Sequence, residues 1–420
     1  MEKKTRTILF SIFVILFFII SVSLTLYTQG YRPDFKNKKL TKTGGLFLKV
    51  QPKQVNVYLN DKFFKKTDFI FGSLLIENLL PKKYKIKIEK EGYFPWEKNL
   101  EVKENNVTEA KYIILFPKKL NFGILFTEIE NFWVSLGGKK MIFLEKKENE
   151  KFLSLYDLEK KIKNTLIKLP ENDFELIDFW LSGDEKIVYL KVKSKEEIKI
   201  FSLNLEEIQP KLKETIQEKL PFENIAFKKT EKEIYYLTNS GFIYKSDSDF
   251  KFRIQINRNP FPIERDEEYK LEIFGDWLFL KEGEKFFYFN QEEDNFEKIQ
   301  EEVLNYKISP DNEKLAIFSN NEILVFFLKD KITQPTKQKG EKVFITRFSE
   351  KIGDLFWLNS DYLIFSVGNK IKVCEIDDRD RMNIYDLGEF EEPKIFFNEV
   401  EKNLYILSKG NLIFLNLLFL

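Results

Sequence analysis

The chain has 420 residues, with 68 basic and 67 acidic side chains and a formal net charge of +1, so no global field draws it to nucleic acid. It contains no histidine and a single cysteine, Cys374. That excludes imidazole as base, nucleophile activator or metal ligand, and excludes any intramolecular disulfide or thiolate metal cage. The excess of Lys, Phe, Ile, Asn and Glu is a chain-wide background, against which any single Phe or Lys cluster carries little meaning.

Residues 1–7 are short and basic, with Lys3, Lys4 and Arg6. Residues 8–27, Ile8 to Tyr27, are apolar apart from a few hydroxyls and carry no charge, which predicts one membrane-spanning helix. The lipid bilayer is therefore the first expected partner. Basic residues flank the run on both sides, with Arg32, Lys36, Lys38, Lys39 and Lys42 beyond it. Long folded domains cross membranes largely regardless of charge, so the expected topology places the N-terminus in the cytoplasm and the bulk outside. A cleaved signal peptide, with Ser21-Val22-Ser23 as the small-residue site, is the competing reading.

Residues 28–43 are polar and basic and read as a stalk. From 44 to 117 the pattern is of short period-two runs: Leu46–Val50, Val55–Leu59, Leu74–Leu79, Tyr84–Glu89, Trp96–Val102 and Val107–Phe116. Turn formers such as Asn60-Asp61, Gly92 and Asn105-Asn106 separate them, which predicts a small β-sandwich. This segment resembles the PEGA domain through Gly45–Val50, Pro52, Val55–Asn60, Leu79–Tyr84, Lys87–Tyr93 and Val102. The naming tetrapeptide stands as Pro52-Lys53-Gln54-Val55, with Gln54 where that family has Gly; Gln54 must adopt the tight-turn conformation despite its Cβ. The resemblance implies a β-sandwich on a prokaryotic surface protein.

From 118 to 420 a second regularity appears. Asn131-Phe132-Trp133-Val134-Ser135, Asp178-Phe179-Trp180-Leu181-Ser182 and Asp354-Leu355-Phe356-Trp357-Leu358 are each followed by a turn and an apolar strand. Weaker copies begin near Asn224, Lys270, Asn305 and Lys394. Repeats every 35–50 residues are the spacing of four-stranded propeller blades, and seven are expected. In the second, strands are expected at Leu176–Ser182, Glu185–Val192, Ile198–Leu205 and Leu212–Gln217. The run Ser309-Pro310-Asp311-Asn312-Glu313-Lys314-Leu315-Ala316-Ile317-Phe318 resembles the turn-and-strand motif of TolB-type propellers, with Asn312 in place of Gly. The last repeat has three strands, Lys394–Asn398, Asn403–Ser408 and Asn411–Leu420, and an orphan strand, Leu120–Thr127, precedes the first. Pairing the two would close the ring. The fold class is thus all-β with one N-terminal transmembrane helix, a small PEGA-like β-sandwich and a seven-bladed β-propeller.

Candidate chemistry is sparse. No cofactor, metal or catalytic residue is assigned, and no Gly-rich phosphate loop is present. Glu267-Glu268, Glu292-Glu293 and Asp377-Asp378 are adjacent acids of the kind solvated in loops, although two carboxylates across a propeller channel could serve a glycan hydrolase or lyase. Asp377-Asp378-Arg379-Asp380-Arg381 and Asp247-Ser248-Asp249 read as solvated hairpin turns rather than Ca²⁺ loops. Trp133, Trp180 and Trp357 read as packing between blades, and Cys374 as a small buried hydrophobe. The one partner-binding candidate is the rim loop with Pro260, Phe261 and Pro262, where the ring either anchors a protein or wall polymer or folds back onto its blade. The expected role is non-catalytic binding at a prokaryotic envelope, with the carboxylate-dependent glycan enzyme as alternative.

Overall fold

The computed structural model describes the chain except residues 1–2, 36, 136, 149, 171–173, 195–196, 208–209, 216–222, 231 and 418–420. One long helix, Lys3–Thr28, opens the fold, and its stretch Thr5–Thr28 is long and apolar enough to cross a membrane or to serve as a signal sequence. The helix breaks at Gly30, whose positive φ (86°) ends the helical path. Residues 28–43 are more than a stalk: Tyr31–Asp34 and Lys39–Lys42 pair as a small hairpin. The Asp34 carboxylate accepts the Asn37 backbone and side-chain N–H groups in its turn, which the polar composition alone did not distinguish from a linker.

Two sheets follow. One orders the strands Ser73–Leu79, Gly44–Gln51 and Val107–Ile114, the last pair parallel; the other orders Lys62–Lys66, Asn56–Leu59, Lys83–Glu89 and Trp96–Glu101. Alternate residues of both sheets, among them Leu46, Leu48, Val57, Ile86, Ile88, Trp96 and Leu100, fill one shared core. The expected strands are present, and Lys62–Lys66 is an additional one, missed because all five of its residues are exposed and show no alternation. Gln54 sits at φ 56°, so the tight turn forms with a side chain in place of Gly.

Among the described residues, seven four-stranded sheets then succeed one another. Their first strands are Ile129–Val134, Glu175–Leu181, Ala226–Lys229, Tyr269–Phe274, Asn305–Ile308, Ile352–Asn359 and Lys394–Asn398. Each is a meander of sequential antiparallel strands, the arrangement of a β-propeller. Sheet two has strands Glu175–Leu181, Ile187–Ser194, Glu197–Asn204 and Lys213–Glu214; the expected end at Gln217 lies outside the described residues. Sheet seven is completed from the front of the chain: Gly123–Phe126 pairs antiparallel with Asn411–Asn416, placing Gly123 opposite Phe414 and Ile124 opposite Ile413. Residues 418–420 of the expected last strand lie outside the described residues. Sheets one and seven also share a core, in which Phe132, Val134 and Met141 meet Tyr405, Leu407 and Leu412.

The Ser309–Lys314 turn shows how these hairpins are built. The Ser309 hydroxyl donates to the Asp311 carboxylate and accepts the Lys314 N–H, Lys314 Nζ lies 2.5 Å from Asp311, and Asn312 takes φ 55°. The same device recurs in sheet two, where Ser182 Oγ donates to Asp184 and accepts the Ile187 N–H, with Glu185 at φ 58°.

Candidate functional site

The sequence candidates fall in three places. Phe261 folds inward. Its ring meets Tyr269, Phe287 and Phe296 edge-on at 5.2–6.4 Å and is buried in the core joining sheets three and four. The Phe261 N–H donates to the Gly241 carbonyl, and Gly241 at φ 81° has no room for a Cβ there. The ring is therefore not available to a partner, whereas Pro260 and Pro262 stay exposed on the border of a cleft of about 420 Å³ shared with Glu264, Lys285 and Lys298. Phe261→Ala is expected to lower stability by about 3–5 kcal/mol, the cost of emptying an aromatic core site; urea titration measures it, and an unchanged midpoint would contradict the burial.

The first strands of the sheets carry a charged network. Glu272 accepts from Lys228 at 2.7 Å and pairs with Lys270 at 2.8 Å, while Lys270 donates to the Tyr306 hydroxyl at 3.2 Å. Burial works against the Glu272 carboxylate, but the two ammonium groups outweigh it and its pKa falls, which unfits it as a general acid. Lys307 sits 4.9 Å over the Phe356 ring, and burial lowers its pKa. Burial also raises the carboxyls of Asp354 and Glu399, in Asp354 against the Ile395 N–H that it accepts. A carboxyl with a raised folded pKa loses stability as pH rises through the range between its unfolded and folded values, from about 4 upward. Asp354→Asn keeps the acceptor for Ile395, so its melting temperature is expected to gain on wild type as pH rises from about 4 to neutrality. A pH-independent offset between the two would show that Asp354 is not strained.

The third place was not foreseen. The loop Asp377-Asp378-Arg379-Asp380-Arg381 is not a solvated turn; it is the hub on which the sandwich docks. Lys98, wholly buried, lies 2.9 Å from Glu375 and donates to the Asp377 carbonyl. Trp96 Nε1 donates to the other Glu375 oxygen, and the Asn383 N–H and side-chain amide donate to the first. Burial opposes the Asp377 carboxylate, yet Arg379 and Lys98 together lower its pKa. Arg379 also donates to the Glu109 carbonyl, Asp380 accepts the Asn99 N–H, Asp378 pairs with Lys337, and Arg381 pairs with Glu97. The Gln334 side-chain amide accepts the Glu109 N–H and donates to the Val107 carbonyl, satisfying the open edge of Val107–Ile114 as a neighbouring strand would. Tyr362 and Tyr385 seal the apolar side, packing on Phe116 and Phe94, with the Tyr362 hydroxyl accepting the Ile114 N–H. A cleft of about 510 Å³ opens beside this seam, lined by Lys49, Lys53, Ile70, Phe71, Tyr112 and Asp361.

Of the tryptophans, Trp357 is buried between sheets five and six and donates to the Lys307 carbonyl, and Trp133 packs on the core of sheets one and two. Trp180 instead stacks on Tyr189 within its own sheet. Cys374 is buried, and its thiol is pushed up by that burial. Asp247 caps its own turn by accepting the Lys251 and Phe252 N–H groups.

No protein-family model matches the chain, and no curated protein matches it. Among solved structures, the Cps50 (Swd1) β-propeller domain of Myceliophteria thermophila aligns at 10% identity and TM-score 0.44, over 71% of this chain and all of its own. A chain of a mitotic checkpoint complex aligns at 12% identity and TM-score 0.43, over 74% and 96%. YCF48 from Cyanidioschyzon merolae aligns at 11% identity and TM-score 0.41, over 70% and 98%. At these scores the propeller assignment stands on the sheets themselves.

Proposed function

We propose that the protein is a single-pass, extracytoplasmic binding or scaffolding protein of a prokaryotic envelope. In this reading residues 8–27 anchor it, the sandwich is PEGA-like, and the seven sheets form a closed seven-bladed, TolB-like ring. Its loop face contacts another macromolecule or surface polymer, with the cleft bordered by Pro260 and Pro262 as one contact. The observation that carries the proposal is the seam. Lys98, Glu375, Asp377 and Arg379 join sandwich and propeller through charge-assisted bonds, and Gln334 adds neutral bonds to the Val107–Ile114 backbone, so the propeller is held at a set attitude to the segment leading from the helix. A fixed attitude suits presentation of a surface to a partner and is not needed by a freely tethered enzyme.

Protease treatment of intact cells tests the topology: digestion of the body from outside is expected, and full protection overturns it. Chemical crosslinking in native membranes, followed by purification of the full chain, tests the binding role. A specific crosslinked macromolecule lost on Pro260→Ala/Pro262→Ala supports the rim contact.

A further inference from the structure

On the sandwich edge opposite the strands that meet the propeller, two edge strands stay open, Lys62–Lys66 and Ser73–Leu79; the loop 67–72 that joins them lies at the end nearer the propeller, where Ile70 and Phe71 line the cleft beside the seam. Along this edge six large apolar side chains stand exposed: Phe63, Phe64, Phe69, Ile70, Phe71 and Leu75, with Phe69 and Phe71 each 68% accessible. The loop is not slack. The Asp68 carboxylate accepts the N–H groups of Ile70, Phe71 and Ser73 and the Ser73 hydroxyl, a set of bonds that holds its pKa low. Fixing three adjacent apolar side chains outward in water is unfavourable unless something covers them.

Lys62, Lys65 and Lys66 are exposed among the rings, against one exposed carboxylate on the neighbouring edge strand, Glu77; Asp61 is paired with Lys85 and Asp68 is engaged inside the loop. A second copy laid edge to edge would bring these lysines against their own like charges, the usual device against strand addition. An anionic lipid surface satisfies both features at once: ammonium groups meet headgroups while the rings enter the interface. We infer that this edge rests on an anionic bilayer, so that the sandwich lies along the membrane and holds the propeller beside it. Arg32 donates to the Tyr27 carbonyl at the helix end and to Asn78, at the far end of Ser73–Leu79, so the strand begins at the apolar loop and finishes beside the helix terminus. About 20 Å of strand thus separates the two points, so the proposal requires that the strand lie flat for the apolar loop to reach lipid. The inference rests on the anchor reading only for nearness to lipid.

The test uses the full chain in vesicles of phosphatidylcholine with or without phosphatidylglycerol, carrying brominated acyl chains as quenchers. An environment-sensitive fluorophore is placed at Phe69→Cys, and separately at Ser21→Cys in the helix; Cys374 is buried and stays unlabelled. Strong quenching of the Phe69→Cys label with phosphatidylglycerol, reduced several-fold by Lys62→Glu/Lys65→Glu/Lys66→Glu, is the expected result. An unquenched Phe69→Cys label overturns the proposal, as does quenching that phosphatidylglycerol and the lysine substitutions leave unaltered. The Ser21→Cys label reports separately, since its quenching measures the anchor alone.

Discussion

Lys98→Ala is expected to destabilise the protein by about 3–5 kcal/mol, because it strands the Glu375 carboxylate in a dry seam without its counter-charge. Glu375 is nearly inaccessible, and its remaining partners, Trp96 and Asn383, are neutral donors. The loss should localise. Limited proteolysis is expected to cut first at the seam, in the 377–381 loop and in the segment leading from the sandwich to the propeller, and Trp96 fluorescence should shift as its indole loses the ordered acceptor. The paired change Lys98→Met/Glu375→Leu removes both charges and should restore most of the stability, since a buried pair replaced as a unit by apolar groups is near neutral. If the single and paired variants melt together, the ion pair is not what fastens the two parts.

A second large effect is expected where the two ends of the propeller meet. Ile124 and Ile413 lie directly opposite across the Gly123–Phe126 and Asn411–Asn416 pairing. Ile124→Cys/Ile413→Cys should oxidise spontaneously, and closing so long a loop should stabilise the oxidised form over the reduced one by up to about 5 kcal/mol. Melting temperatures with and without reductant measure it, and Cys374, buried in the core of sheets five and six, does not compete. Failure to form the bond, with both thiols reactive, would mean that these strands do not pair and that the ring is not closed there.

Much of the fold was legible because it rests on local patterns. Period-two alternation marked six of the seven sandwich strands, and the Ser309–Lys314 turn declared its hairpin through residue types that tolerate a positive φ. The orphan strand before the first sheet was readable because a three-stranded final repeat leaves an edge in want of a partner. Lys62–Lys66 was not, since an edge strand exposed on both faces has no period to show. Phe261 illustrates a different limit. Its flanking prolines fix the backbone, but which way the ring points depends on Tyr269, Phe287 and Phe296 in other strands.

The seam left a trace that composition obscured. In Trp96-Glu97-Lys98-Asn99-Leu100 the lysine falls in phase with Trp96 and Leu100, on the buried side of its strand. Glu375 likewise falls in phase with Ile371 and Val373. A cation and an anion, each set on an apolar strand face, are a sign of mutual burial. In a chain with 68 basic residues the phase had to be read rather than the residue type.

The manner in which Gln334 and Arg379 grip the sandwich has a consequence for how the protein can vary. Both hold main-chain groups of Val107 and Glu109 rather than side chains. Substitution along that strand can therefore proceed without loosening the grip, whereas inserting or deleting one residue there would slide every donor past its acceptor. The joint constrains length and leaves identity free.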